Sequence, residues 1–108
     1  MKIRQWELWK CRPQGFQTDH GFVVISGQEL CDSDRNRMVN GLPCFTLRGA
    51  LPRTCIQLDG ADGVSAPTAV PCDFIFSMPK SALHSGLGAV SWERQQQIKS
   101  KVKELLRL

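Results

Sequence analysis

Apolar positions recur at period two through most of the chain and at helical spacing only near its end. Residues 3–10 begin with Ile3 and place Trp6 and Leu8 on one face of a strand. Gly21 to Ser26 encloses Phe22-Val23-Val24-Ile25, a β-branched run suited to a buried strand. The polar stretch Cys31-Asp32-Ser33-Asp34-Arg35-Asn36-Arg37, between Gly27 and Asn40, has no period and predicts a mobile loop. Leu42 to Leu47 predicts a third strand, which Arg48-Gly49-Ala50-Leu51-Pro52 turns into a fourth, Thr54 to Asp59, as a hairpin. Beyond Gly60-Ala61-Asp62-Gly63, the positions Val70, Cys72, Phe74, Phe76 and Met78 alternate with Pro71, Asp73 and Ser77 and predict a one-sided strand.

The period changes at Ser91, an N-cap residue with Glu93 behind it in the first turn, where a helix dipole favours an anion. Ile98, Val102, Leu105 and Leu106 fall on one helical stripe, with Lys99, Lys101 and Lys103 off it. About five strands followed by one helix predict a mainly β fold, a small antiparallel barrel closed or flanked by a C-terminal α-helix. At 108 residues, with no repeat and no linker, residues 1–108 read as a single domain.

Composition narrows the class. With 42% hydrophobic and 22% charged residues the chain is ordinary globular material, and no apolar run reaches the ~18 residues of a membrane span. The net charge of +4 is unevenly spread: both ends are basic and the middle is acidic. That pattern admits a nucleic-acid or acidic-peptide partner, and equally a merely solvated surface. Cys11, Cys31, Cys44, Cys55 and Cys72 are odd in number and contain no C-x-x-C pair, and His20 and His84 stand far apart. Free thiols in a reducing compartment, a soluble cytoplasmic protein, no metal site and no cofactor are the expectation.

No standard catalytic motif occurs in the sequence, so candidate chemistry rests on single residues. His20 precedes the Phe22 strand at a loop edge, where an imidazole suits proton transfer, although an exposed histidine without a role explains the same letter. Thr46 and Arg48 bring a hydroxyl and a guanidinium to one strand terminus, a pair able to grip a phosphate or to be an ordinary strand threonine and surface arginine. Arg35 and Arg37 offer further phosphate contacts or keep their loop soluble. Asp73 lies on the polar face of the most apolar strand, as a solvent-facing residue or as an acid in a cleft beside Thr46. Trp6 and Trp9 read as core and interface, since no aromatic run accompanies a basic groove.

In order, Glu7-Leu8-Trp9, Phe22-Val23-Val24-Ile25, Leu42-Pro43-Cys44-Phe45-Thr46, Ile56-Gln57-Leu58-Asp59, Cys72-Asp73, Leu87-Gly88 and the terminal Ile98-x-x-x-Val102-x-x-Leu105 helix resemble the MazF/PemK (Kid) toxins of bacterial toxin–antitoxin pairs. The resemblance covers nearly the whole chain. It implies an SH3-like barrel that forms a homodimer and cleaves single-stranded RNA without metal. It also implies an acidic antitoxin whose tail occupies the RNA groove. Thr46 matches the family's threonine and Asp73 is retained, whereas His20 stands where the family has an arginine and Gly21 where a proline follows it. Pro71 replaces an arginine of Kid-like members, Phe74 and Phe76 replace polar residues, and the Lys10–Asp19 loop is shorter. The resemblance therefore assigns His20, Thr46 and Asp73 to catalysis and Arg35, Arg37 and Arg48 to RNA binding in a sequence-specific endoribonuclease. The alternative is the same barrel with weakened or no nuclease activity, acting by protein binding as the related CcdB toxins bind DNA gyrase. A basic-helix nucleic-acid binder resting on Lys99, Lys101 and Lys103 ranks last, because those lysines are the solvated face of the helix.

Overall fold

The apolar run Phe22-Val23-Val24 sits at the centre of the fold because both faces of its strand are covered. The computed structural model describes residues 2–108. Among these residues the order is β1 (Glu7–Cys11), β2 (His20–Val24), α1 (Gln28–Asp32), β3 (Met38–Pro43), β4 (Phe45–Thr46), β5 (Cys55–Leu58), β6 (Thr68–Pro71), β7 (Phe76–Pro79), β8 (Ser85–Ala89) and α2 (Trp92–Leu106). Short 3₁₀ turns lie at Gly60–Asp62 and Lys80–Ala82. Two antiparallel sheets form, one ordered β7-β3-β2-β1-β8 and the other β4-β6-β5. The mainly β barrel with a C-terminal helix is therefore present, built from two sheets whose hydrogen bonding does not run round in a closed ring.

Strand β2 is the middle strand of the large sheet, so alternate side chains enter different cores. Phe22 and Val24 join Trp9, Cys11, Val39, Met78 and Leu83 on one face. Val23 joins Leu8, Leu42, Leu58, Val70 and Ile98 on the other, between the two sheets and α2. Full burial of Phe22 contributes roughly 1.5–3 kcal/mol, and its ring fits because Gly41 has no side chain; a Cβ there would run into the ring. Helix α2 starts where Ser91 Oγ accepts from the Arg94 N–H at 3.4 Å. Ile98 is buried and Val102 and Leu105 pack on the second core, while Leu106, expected on the same stripe, lies outside that core and remains 43% exposed. The Lys99 ammonium lies 5.8 Å from the centroid of the Trp6 ring, so one helix lysine covers apolar surface.

Several expected elements are revised. The alternation from Val70 to Met78 is two strands: the chain turns at Cys72–Ile75, and Val70 ends in one core and Met78 in the other. The turn follows Pro71, which has no N–H to continue a ladder, and its Phe74 N–H donates to the Pro71 carbonyl at 3.4 Å. The expected 42–59 hairpin does not pair with itself, because β6 lies between β4 and β5, with Phe45 opposite Ala69 and Ile56 opposite Val70. Residues 42–47 break at Cys44, where the chain passes from the large sheet to the small one. The 27–40 stretch contains α1 and is tied down: the Lys80 ammonium donates to the carbonyls of Leu30, Cys31 and Ser33 at 2.7–2.9 Å. Strand β8, with every residue exposed, escaped the periodicity because an edge strand with the single large apolar residue Leu87 among glycines and small residues carries no apolar rhythm.

Candidate active site

An open cleft of about 690 Å³ runs along one end of the large sheet and the edge of β4. His20, Thr46 and Arg48 all line it, together with Lys10, Thr18, Asp19, Phe45 and Ser65. The break at Cys44 makes this convergence possible. By ending β3 and starting β4 it carries Thr46 out to an exposed position while its own carbonyl points at the first residue of β2.

The His20 imidazole is fixed through Nδ1. Nδ1 lies 2.9 Å from the Cys44 carbonyl oxygen, and a carbonyl only accepts, so Nδ1 carries the hydrogen and donates it. In that tautomer Nε2 is the acceptor nitrogen, 3.5 Å from the Thr18 hydroxyl. The ring is also wedged edge-on between Phe16 and Phe45, with centroids at 4.8 and 5.1 Å. A half-buried imidazole of defined tautomer, presenting Nε2 near a cleft that holds Thr46, Arg48 and Lys10, can accept a proton beside a bound anion.

Asp19 is the cleft's one carboxylate, and its charge is already engaged. Oδ1 accepts from Arg12 Nε at 3.1 Å and Oδ2 lies 3.4 Å from His84 Nε2. The cleft therefore keeps a cationic character. Its far wall, Gly63 to Ala66, is held by Asp62, which is fully buried and accepts from the backbone N–H of Ser91 at 2.9 Å and of Asp59 at 3.0 Å, with Arg94 Nε at 3.7 Å. Burial pushes the Asp62 carboxyl up, but those N–H donors and Arg94 outweigh it and hold it below its ordinary range. The same wall packs on β8 through Gly63, whose φ of +93° and 2.7 Å approach of a would-be Cβ to the Leu87 carbonyl both require glycine.

Other expected residues lie elsewhere. Asp73 sits exposed in the turn after β6 and does not line the cleft. Arg35 and Arg37 precede β3 at its Met38 end, whereas the cleft is at its Pro43 end; six residues at ~3.3 Å place them roughly 20 Å away within one chain. All five cysteines are free and buried, and none contributes its thiol as a nucleophile here. Burial raises Cys11 to about 11 and Cys72 to about 12, and raises Cys44, which lines the cleft, further still. Lys10 and Asp19 went unassigned in the sequence. Lys10 was findable, since it is in phase with Leu8 on β1 and both line the cleft. Asp19 was not, because its partners Arg12 and His84 come from segments that only the sheet brings together.

No family model and no curated sequence matches the chain. Solved structures do. An endoribonuclease in complex with its cognate antitoxin, from a mycobacterial species, superposes with a TM-score of 0.80 at 20% identity over 98% of this chain and 96% of that one. The Mycobacterium tuberculosis toxin MazF-mt6 gives 0.78 at 16% identity over 94% and 97%. MazF in a MazE–MazF complex from Deinococcus radiodurans gives 0.78 at 16% identity over 100% and 98%. With two sheets and a helix matched over essentially the full length of each chain, this protein has the MazF-like toxin fold.

Proposed function

We propose that the protein is the toxin of a toxin–antitoxin pair, a metal-independent endoribonuclease that cuts single-stranded RNA by attack of a 2′-hydroxyl on the adjacent phosphate. The observation that carries this reading is the tethered His20 ring, with Nδ1 on the Cys44 carbonyl and Nε2 free, in one cleft with Thr46, Arg48 and Lys10. Nε2 takes the proton of the 2′-hydroxyl as its oxygen bonds to phosphorus. Thr46 donates a hydrogen bond to a non-bridging oxygen, and Arg48 and Lys10 balance its charge. The bond from phosphorus to the 5′-oxygen breaks, and that oxygen takes a proton from solvent. The products are a 2′,3′-cyclic phosphate and a 5′-hydroxyl, and no step uses a metal.

The fold supports the reading, since structures that share it include an endoribonuclease seen with its cognate antitoxin and MazF seen with MazE. An acidic antitoxin segment suits the same cationic cleft, and a homodimer joins two such clefts into a longer groove. In this scheme Arg35 and Arg37 serve phosphates outside the cleft, and Asp73 is no proton acceptor for the 2′-hydroxyl. The test incubates purified protein with single-stranded RNA in EDTA and maps the ends. Cyclic-phosphate ends are expected. Activity abolished by chelation rejects the mechanism, and growth arrest by the expressed protein with RNA left intact favours a protein-binding toxin.

A further inference from the structure

Four of the chain's five phenylalanines gather beside the cleft, three of them outside both cores and Phe76 packed on the edge of the first. Phe16 from the β1–β2 loop, Phe45 from β4, Phe74 from the turn after β6 and Phe76 from β7 form one ring cluster with His20. Phe45 and Phe74 are near parallel, at 4° with centroids 6.3 Å apart, and Phe74 meets Phe76 edge-on at 4.5 Å. Phe16, Phe45 and Phe74 belong to neither core, and Phe74 and the neighbouring Ile75 remain 37% and 40% exposed. Three chain segments, around Phe16, Phe45 and Phe74–Phe76, thus converge to build an aromatic surface that extends beyond the core.

We propose that Phe16, Phe45, Phe74 and Phe76 form a stacking platform for a nucleobase of the RNA next to the scissile phosphate, with Phe74 as its exposed face. The proposal rests on the nuclease reading and adds a base subsite to it. The occupant must have a flat apolar face and be joined to an anion. The platform is carbon-faced, yet it touches the His20 ring at one side, beyond which lie Lys10, Thr46 and Arg48. A nucleotide meets both demands at once, because its base hangs one ribose away from its phosphate. Stacking of this kind tolerates any base and contributes to single-strand binding without hydrogen-bond readout. Asp73, exposed beside Phe74, adds an acceptor that suits the exocyclic amine of a base and repels both phosphate and an acidic peptide. An exposed carboxylate next in sequence to Phe74 favours a base over an acidic protein segment as the occupant.

The test uses a short single-stranded 2′-O-methyl RNA, which resists cleavage, carrying 2-aminopurine in place of its adenines. Binding is read by anisotropy and stacking by quenching of the aminopurine. Phe74→Ala should weaken binding about 5- to 150-fold, the range for losing one stacked base, and should relieve the quenching. Phe74→Trp should restore both, while Phe74→Leu, which keeps apolar bulk without a ring face, should not. A base-free sugar–phosphate chain should bind wild type and all variants alike, and thermal melts should show each variant folded. Wild-type affinity in Phe74→Ala or in Phe74→Leu overturns the platform and leaves the nuclease standing, provided wild type still cuts RNA. Unchanged RNA binding with an altered mass by light scattering overturns it in favour of a protein contact. A wild-type protein that neither binds the probe nor cuts RNA overturns the nuclease reading together with the platform.

Discussion

Replacing His20 by asparagine separates what its ring holds from what it catalyses. The asparagine amide nitrogen reaches about the position of Nδ1 and can still donate to the Cys44 carbonyl, but nothing replaces Nε2. His20→Ala loses that hydrogen bond, about 1 kcal/mol, and two edge contacts with Phe16 and Phe45 at about 0.5–1.5 kcal/mol each. The total is roughly 2–4 kcal/mol, at the lower end because the ring is only half-buried. His20→Asn keeps the hydrogen bond and should be about 1 kcal/mol more stable than alanine, or about 4–8 °C in melting temperature for a domain of this size. Catalysis should not follow stability. Both variants lack the proton acceptor, so both should lose about 10²–10⁴ in rate, equivalent to about 2.7–5.5 kcal/mol of barrier. Urea unfolding and initial cleavage rates of a quenched-fluorophore single-stranded RNA measure the two effects on the same preparations. An asparagine variant that cuts within a few-fold of wild type removes His20 from the chemistry, and one no more stable than alanine removes the Cys44 tether.

Four further outcomes are expected. Thr46→Ala should lower the cleavage rate about 10²–10³-fold with stability unchanged within about 0.5 kcal/mol, because the residue is exposed; a matching loss in denaturant midpoint would mark it as structural instead. Asp62 is held below its ordinary carboxyl range, so its contribution is complete above the unfolded value of about 4 and is lost as pH falls through the lower folded value; the stability gap between wild type and Asp62→Asn in urea should narrow between about pH 6 and about pH 3, and a constant gap contradicts the assignment. Gly63→Ala should destabilise by about 1–3 kcal/mol through its positive φ and its approach to Leu87, and a thermal melt equal to wild type would show that the 63–66 wall is not braced against β8. Native protein at about pH 8 should react slowly with a disulfide reagent and rapidly once unfolded in urea, since burial covers all five thiols and raises Cys11 and Cys72; fast labelling of the native protein would refute their burial.

Where local pattern and tertiary burial agree, the elements could be read directly. Helix α2 announced its N-cap at Ser91 and its buried stripe at Ile98, Val102 and Leu105, because helical spacing and burial against one core are the same signal. The β2 run of Phe22 to Val24 announced a buried strand for a similar reason, since a strand covered on both faces has no polar side to show. Of the site, His20, Thr46 and Arg48 were legible as residue types at strand ends, and the cleft gathers all three. Asp73, Arg35 and Arg37 looked equally suitable as letters and lie outside it.

Local residue order determined the mainly β class, the closing helix and the likeness to MazF toxins. Pairing, and everything that depends on it, was decided by the tertiary structure. An alternation of period two says which residues share a face only while the strand continues, and nothing local says that Met78 will turn to a different core from Val70. Nor does any local pattern say that β6 will insert between β4 and β5, since the ladder is chosen by which apolar faces can be buried together. The four phenylalanines around His20 follow from the same cause. Phe16, Phe45 and the Phe74–Phe76 pair are separated by tens of residues and become one surface only after two sheets have packed, so their chemistry belongs to the fold and not to any one segment of the chain.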